Sequence, residues 1–112
     1  VDEKGNRGMI RWLLLVLMLA GCSAAPTAET GPVVLNLSVD NSSPQRTSVS
    51  RGQQVEITVT STKDAEVHVH GFDVLATASA GKPASLKFVA DRTGTFEVEA
   101  HPDTLLAQLV VR

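Results

Sequence analysis

The chain has 112 residues, with 10 Lys and Arg against 12 Asp and Glu, which is room for one small domain and not two. From Cys22 onward, seven basic and ten acidic side chains leave a net charge of −3, so that portion has no general attraction for a phosphate backbone and no nucleic-acid partner is expected. It holds no Trp or Tyr and three Phe, too few for a base-stacking platform, and the single cysteine of the chain excludes an internal disulfide or a site of several thiolates.

Residues 1–21 have the profile of a signal peptide. Lys4, Arg7 and Arg11 precede the unbroken apolar run Trp12 to Ala20, which at nine residues is about half of what a membrane-spanning helix needs. Met9-Ile10-Arg11 would open a compact signal, which makes Met9 as well as Val1 a candidate start. Leu19-Ala20-Gly21-Cys22 resembles the bacterial lipobox, and that resemblance implies a diacylglyceryl group on Cys22, a membrane anchor and a place on the extracytoplasmic side of the cell membrane. Lipidation would consume the one thiol. Residues 22–32 are small, polar and Pro-containing, which suits a flexible tether rather than a core.

Residues 33–112 alternate with a period of two. Val33-Leu35-Leu37-Val39, Val55-Ile57-Val59, Val67-Val69, Leu86-Phe88, Phe96-Val98 and Leu109-Val111 are separated by Ser-Pro, Arg-Gly, Thr-Lys-Asp, Gly-Lys-Pro and Asp-Arg-Thr-Gly breakers. Six to seven short strands are expected. Ala76 to Ala80 and Pro102 to Ala107 are the two places where a single helical turn is expected instead. Many short strands with frequent turns make the fold class all-β and favour a sandwich over an open sheet.

The order of residues from Val49 onward resembles a cupredoxin, and among cupredoxins the EfeO-type domains. Gly52-Gln53-Gln54-Val55-Glu56-Ile57-Thr58-Val59 is similar to the family's Gly-x-x-Val-x-apolar-x-Val strand, and His70-Gly71-Phe72 follows where the first copper-ligand histidine usually stands. Ala80-Gly81-Lys82-Pro83-Ala84 resembles the next turn, and Gly94-Thr95-Phe96-Glu97-Val98 resembles the lead-in to the Cys-His-Met ligand loop. The resemblance implies a Greek-key β-sandwich and covers about half of the chain. It breaks at the metal: the position of the ligand Cys is Ala100, Leu105 or Leu106 stands near the axial position, and no Met follows Cys22. A blue-copper centre needs that thiolate with two His and usually a Met, so type-1 copper is not expected.

His68, His70 and His101 all lie near the two ligand segments. Residues two apart on a strand share a face, with Cα atoms about 6.6 Å apart, so His68 and His70 place two imidazoles side by side. With His101 they form a candidate three-nitrogen site for copper, or Zn or Ni, with Glu66 and Glu99 at matching periodic positions. The competing expectation is a solvated strand face, with Val67, Val69, Phe96, Val98 and Ala100 turned inward and the Glu and His residues outward. A bulge at the end of the sandwich would be needed to re-aim His70. No catalytic constellation is present: there is no Gly-x-Ser-x-Gly elbow, and Gly81-Lys82 lacks the flanking residues of a phosphate-binding loop. The expectation is a binding module, not an enzyme, whose partner is a metal ion or an envelope protein.

Overall fold

Where every second residue is apolar, a strand sets one face on a core and the other in water. The computed structural model describes residues 31–41 and 43–112, and in it eight strands form, most of them on this pattern: β1 (Val33–Ser38), β2 (Gln45–Val49), β3 (Gln54–Thr60), β4 (Ala65–Val69), β5 (Val74–Ala78), β6 (Ala84–Val89), β7 (Gly94–Ala100) and β8 (Thr104–Val111). The expected signal segment, Cys22 and the tether up to residue 30 lie outside the described residues.

The strands form a three-stranded sheet, β1-β3-β6, and a five-stranded sheet, β2-β8-β7-β4-β5. Neither follows chain order, as Greek-key connectivity requires. β1 runs parallel to β3 and β2 parallel to β8, and the other pairs are antiparallel. Val55, Ile57 and Val59 of β3 and Leu86 of β6 share one buried cluster with Val67 and Val69 of β4, Val98 and Ala100 of β7 and Leu109 of β8, none of them more than 1% exposed. Among the described residues, the buried cluster runs from Leu35 to Val111.

The strand count exceeds the expected six or seven, and the additions have physical reasons. β2 is Gln-Arg-Thr-Ser-Val with only Val49 buried, so hydrophobic period cannot reveal it. Backbone pairing with β8, from Gln45 opposite Ala107 to Val49 opposite Val111, makes it a strand. The expected helical turn at Ala76 to Ala80 is instead mostly β5 and its end, antiparallel to β4 with Ala65 opposite Ala78 and Val69 opposite Val74. Likewise Pro102 to Ala107 is a turn followed by the start of β8 at Thr104. A register shift between Val98 and Glu99 pairs Val98 with Ala107 and Glu99 with Leu105. Leu106 is the extra residue of this bulge, and both Leu106 and Ala107 are buried.

The turn that returns the chain from β4 to β5 depends on Gly71. Its φ is +88°, and a Cβ there would lie 2.6 Å from the Phe96 ring. Phe96 in turn packs on Phe72 at a centroid distance of 4.5 Å, and Phe72 on Phe88 at 4.8 Å.

Ile57→Ala removes a fully enclosed side chain and is expected to cost about 2–5 kcal/mol in a urea unfolding titration. Gly71→Ala adds both the forbidden φ and the collision with Phe96, and the same titration should show a loss above about 1 kcal/mol.

Candidate metal centre

The site follows from one antiparallel register. β4 pairs with β7 so that Val67 lies opposite Ala100, His68 opposite Glu99 and Val69 opposite Val98. Backbone bonds from His70 N to Glu97 O and from His101 N to Glu66 O, each 2.9 Å, continue that ladder at both ends. Val67, Val69, Val98 and Ala100 are in the core, and side chains alternate across a strand. Glu66, His68 and His70 of one strand and Glu97, Glu99 and His101 of the other therefore stand together on the outer face of the five-stranded sheet. Three imidazoles and three carboxylates form a grid two strands wide.

The outward expectation for these residues holds, and the bulge that would have re-aimed His70 is absent. The irregularity of β7 lies on its β8 side, between Val98 and Glu99. The three histidines thus gather on a sheet face and not at one end of the sandwich: His70 closes one end of the β4–β7 ladder, His101 the other, and His68 lies between. The His68 and His70 ring centroids are 4.4 Å apart, and those of His68 and His101 are 6.3 Å apart.

The carboxylates are not bystanders. His70 Nε2 donates to Glu99 Oε2 at 3.0 Å, the two side chains being 50% and 29% exposed. His101 Nε2 lies 3.7 Å from Glu66 Oε1, an ion-pair distance rather than a hydrogen bond. The hydrogen bond from His70 is the main reason that the Glu99 carboxyl is held below the ordinary carboxylate range. Partial desolvation opposes it, while Glu97 and the charges of His70 and His101 add to it. No three His, Cys, Asp or Glu side chains among the described residues stand ready-made as the ligands of one ion. Sequence periodicity placed Glu99 on the right face, but its diagonal bond to His70 depends on the strand register.

No protein-family model matches the chain, and no curated protein matches it. Solved structures do. Auracyanin A, a blue copper protein from Chloroflexus aurantiacus, superposes with a TM-score of 0.52 at 18% identity, over 73% of this chain and 100% of that one. The domain has the cupredoxin-like fold. A chain of a heme-copper terminal oxidase dimer matches this cupredoxin-like protein with a TM-score of 0.53 at 15% identity, covering 100% of both chains. The multicopper oxidase mgLAC matches at 0.56 and 16% identity over 72% of this chain, which spans 39% of the oxidase. At these identities the likeness is one of fold.

A cupredoxin of the blue-copper type holds its ion through a Cys thiolate, two His and a weak axial Met. The residues here do not fit that centre. Ala100 is a core residue at 1% exposure, Leu106 is buried at 2%, and His70 points to the opposite side of the sheet from Ala100. By the sequence resemblance, Ala100 stands at the ligand-Cys position and Leu105 or Leu106 near the axial one, and none of these side chains carries sulfur.

A depressed carboxyl pKa adds stability that is complete above the group's unfolded pKa and is lost as the pH falls through its folded value. Acidification through the carboxylate range should therefore weaken the domain in part through Glu99. His70→Ala removes the largest cause, so the Glu99 pKa, followed by carboxyl carbon NMR, is expected to rise toward the ordinary range. The same variant should flatten that portion of the stability–pH curve.

Proposed function

We propose that this protein is a lipid-anchored module of the cell envelope that binds copper or another transition-metal ion reversibly through His70, His101 and His68. The observation that supports it most is the convergence of all three histidines on one exposed sheet face, with His68 centrally placed at 4.4 Å from His70 and 6.3 Å from His101, ring to ring. Imidazole nitrogen suits Cu(II), Zn and Ni, and exposed ligands with an open position favour exchange over permanent structural binding. The three neighbouring carboxylates supply negative charge that attracts a divalent cation. Among structural neighbours, auracyanin A is a blue copper protein and mgLAC a multicopper oxidase, so copper is the first ion to test. The resemblance of Leu19-Ala20-Gly21-Cys22 to a lipobox supports the envelope setting. The role is binding and not catalysis.

A second reading has its own observation. Leu75 of β5, directly opposite His68, is 58% exposed, and the His70 ring is already engaged with the Glu99 carboxylate. A metal-free face that docks an envelope protein would look the same.

The test is titration of Cu(II), Cu(I) and Zn(II) into the Ser23–Arg112 protein, which keeps the whole core and omits the Cys22 thiol, with histidine NMR signals as the readout. Saturable one-to-one binding at micromolar or tighter affinity, lost in the His70→Ala, His101→Ala double variant, is the expected result. Absence of binding, or binding that the variant retains, overturns the site and leaves the docking reading.

A further inference from the structure

The two ends of the histidine face are built differently. At one end a carboxylate touches a ring at hydrogen-bond distance, His70 Nε2 to Glu99 Oε2 at 3.0 Å. At the other, Glu66 and His101 are separated by 3.7 Å, beyond the range of a hydrogen bond. An ionised carboxylate accepts and cannot donate, so the shared hydrogen belongs to Nε2 of His70. A neutral imidazole has one N–H and one lone pair, which leaves the lone pair on Nδ1. Register makes this contact possible. Glu99 lies opposite His68 and diagonal to His70, whose own cross-strand neighbour is Glu97.

We infer that Glu99 is a positioning residue, which fixes the proton of His70 on Nε2 and leaves Nδ1 as the nitrogen that takes the metal ion. The inference rests on the metal-binding reading of this face and names the atom through which it works. A metal-bound imidazole whose second nitrogen donates to a carboxylate is held in one tautomer and one orientation and becomes a more basic ligand. The His68 ring, 4.4 Å away by centroid, is the nearest second nitrogen donor. His101 has no such support, so its tautomer is not set in advance.

The experiment uses 15N-labelled Ser23–Arg112 protein and long-range proton–nitrogen correlation at about pH 8, where an ordinary imidazole is neutral. Zn(II) is then titrated into the unaltered protein, Glu99→Gln and Glu99→Ala. Circular dichroism and a urea midpoint establish that each variant is folded. In the unaltered protein His70 should read as the Nε2–H tautomer before metal is added, and zinc should perturb its Nδ1. Glu99→Ala should release the tautomer and weaken zinc binding about 10–100-fold. Glu99→Gln keeps an acceptor oxygen, so it should hold the tautomer and lose less affinity than Glu99→Ala.

A His70 protonated on Nδ1, zinc bound at Nε2, or a Glu99→Ala variant that binds zinc like the unaltered protein overturns the inference while the metal-binding reading stands. Failure of the unaltered protein to bind Zn(II), Cu(II) or Cu(I) overturns the reading and, with it, the metal role of Glu99, whatever the tautomer. The two failures are thereby told apart.

Discussion

The β4–β7 register is the constraint on which both the core and the candidate site depend. Val67 opposite Ala100 and Val69 opposite Val98 put four apolar side chains into the centre of the sandwich. The strand period then has no freedom left: Glu66, His68, His70, Glu97, Glu99 and His101 must emerge on the other face. A slip by one residue would bury that polar set and expose the valines. Burial of hydrocarbon on one side of the sheet therefore enforces the chemistry on the other, although no histidine contributes to the core.

The same register explains why the fold does not carry the blue-copper chemistry of auracyanin A. Ala100, which the sequence resemblance sets at the ligand-Cys position, has its methyl in the core. The bulge in β8 turns Leu106 inward beside Ala107. His70, bonded to Glu99 on the outer face, cannot share an ion with anything at Ala100. The interior of this sandwich is hydrocarbon, and its ionisable chemistry has been placed on a water-facing sheet.

That placement has electrostatic consequences. The imidazoles and carboxylates of this face remain partly exposed to solvent. The hydrogen bond from His70 holds the Glu99 carboxyl below its ordinary range. Groups of this kind exchange protons or ions readily, which fits a binding surface better than a permanent structural centre.

Much of the fold was legible because hydrophobic alternation is a local property. Period two marked β1, β3, β4, β6 and β7 and the end of β8, and the inward set of β4 and β7 was readable residue by residue. β2 and β5 were not, since Gln-Arg-Thr-Ser-Val has too little apolar content and Val-Leu-Ala-Thr-Ala has no clean alternation. Both are edge strands of the five-stranded sheet, where a partner on one side suffices. The lipobox-like tetrad Leu19-Ala20-Gly21-Cys22, the absence of a thiol after Cys22 and the three histidines were likewise present as residue identities. Which carboxylate bonds which ring was not, because β4 and β7 are separated by two intervening strands and their stagger is set by packing across the core. Composition and spacing assigned the all-β fold class and brought His68, His70 and His101 forward as candidates, but left His70 between an outward strand position and a bulge-turned one. The cross-strand stagger, a non-local outcome of burying Val67, Val69, Val98 and Ala100 together, joined Glu99 to His70 and spread the histidines along a face instead of gathering them at one end.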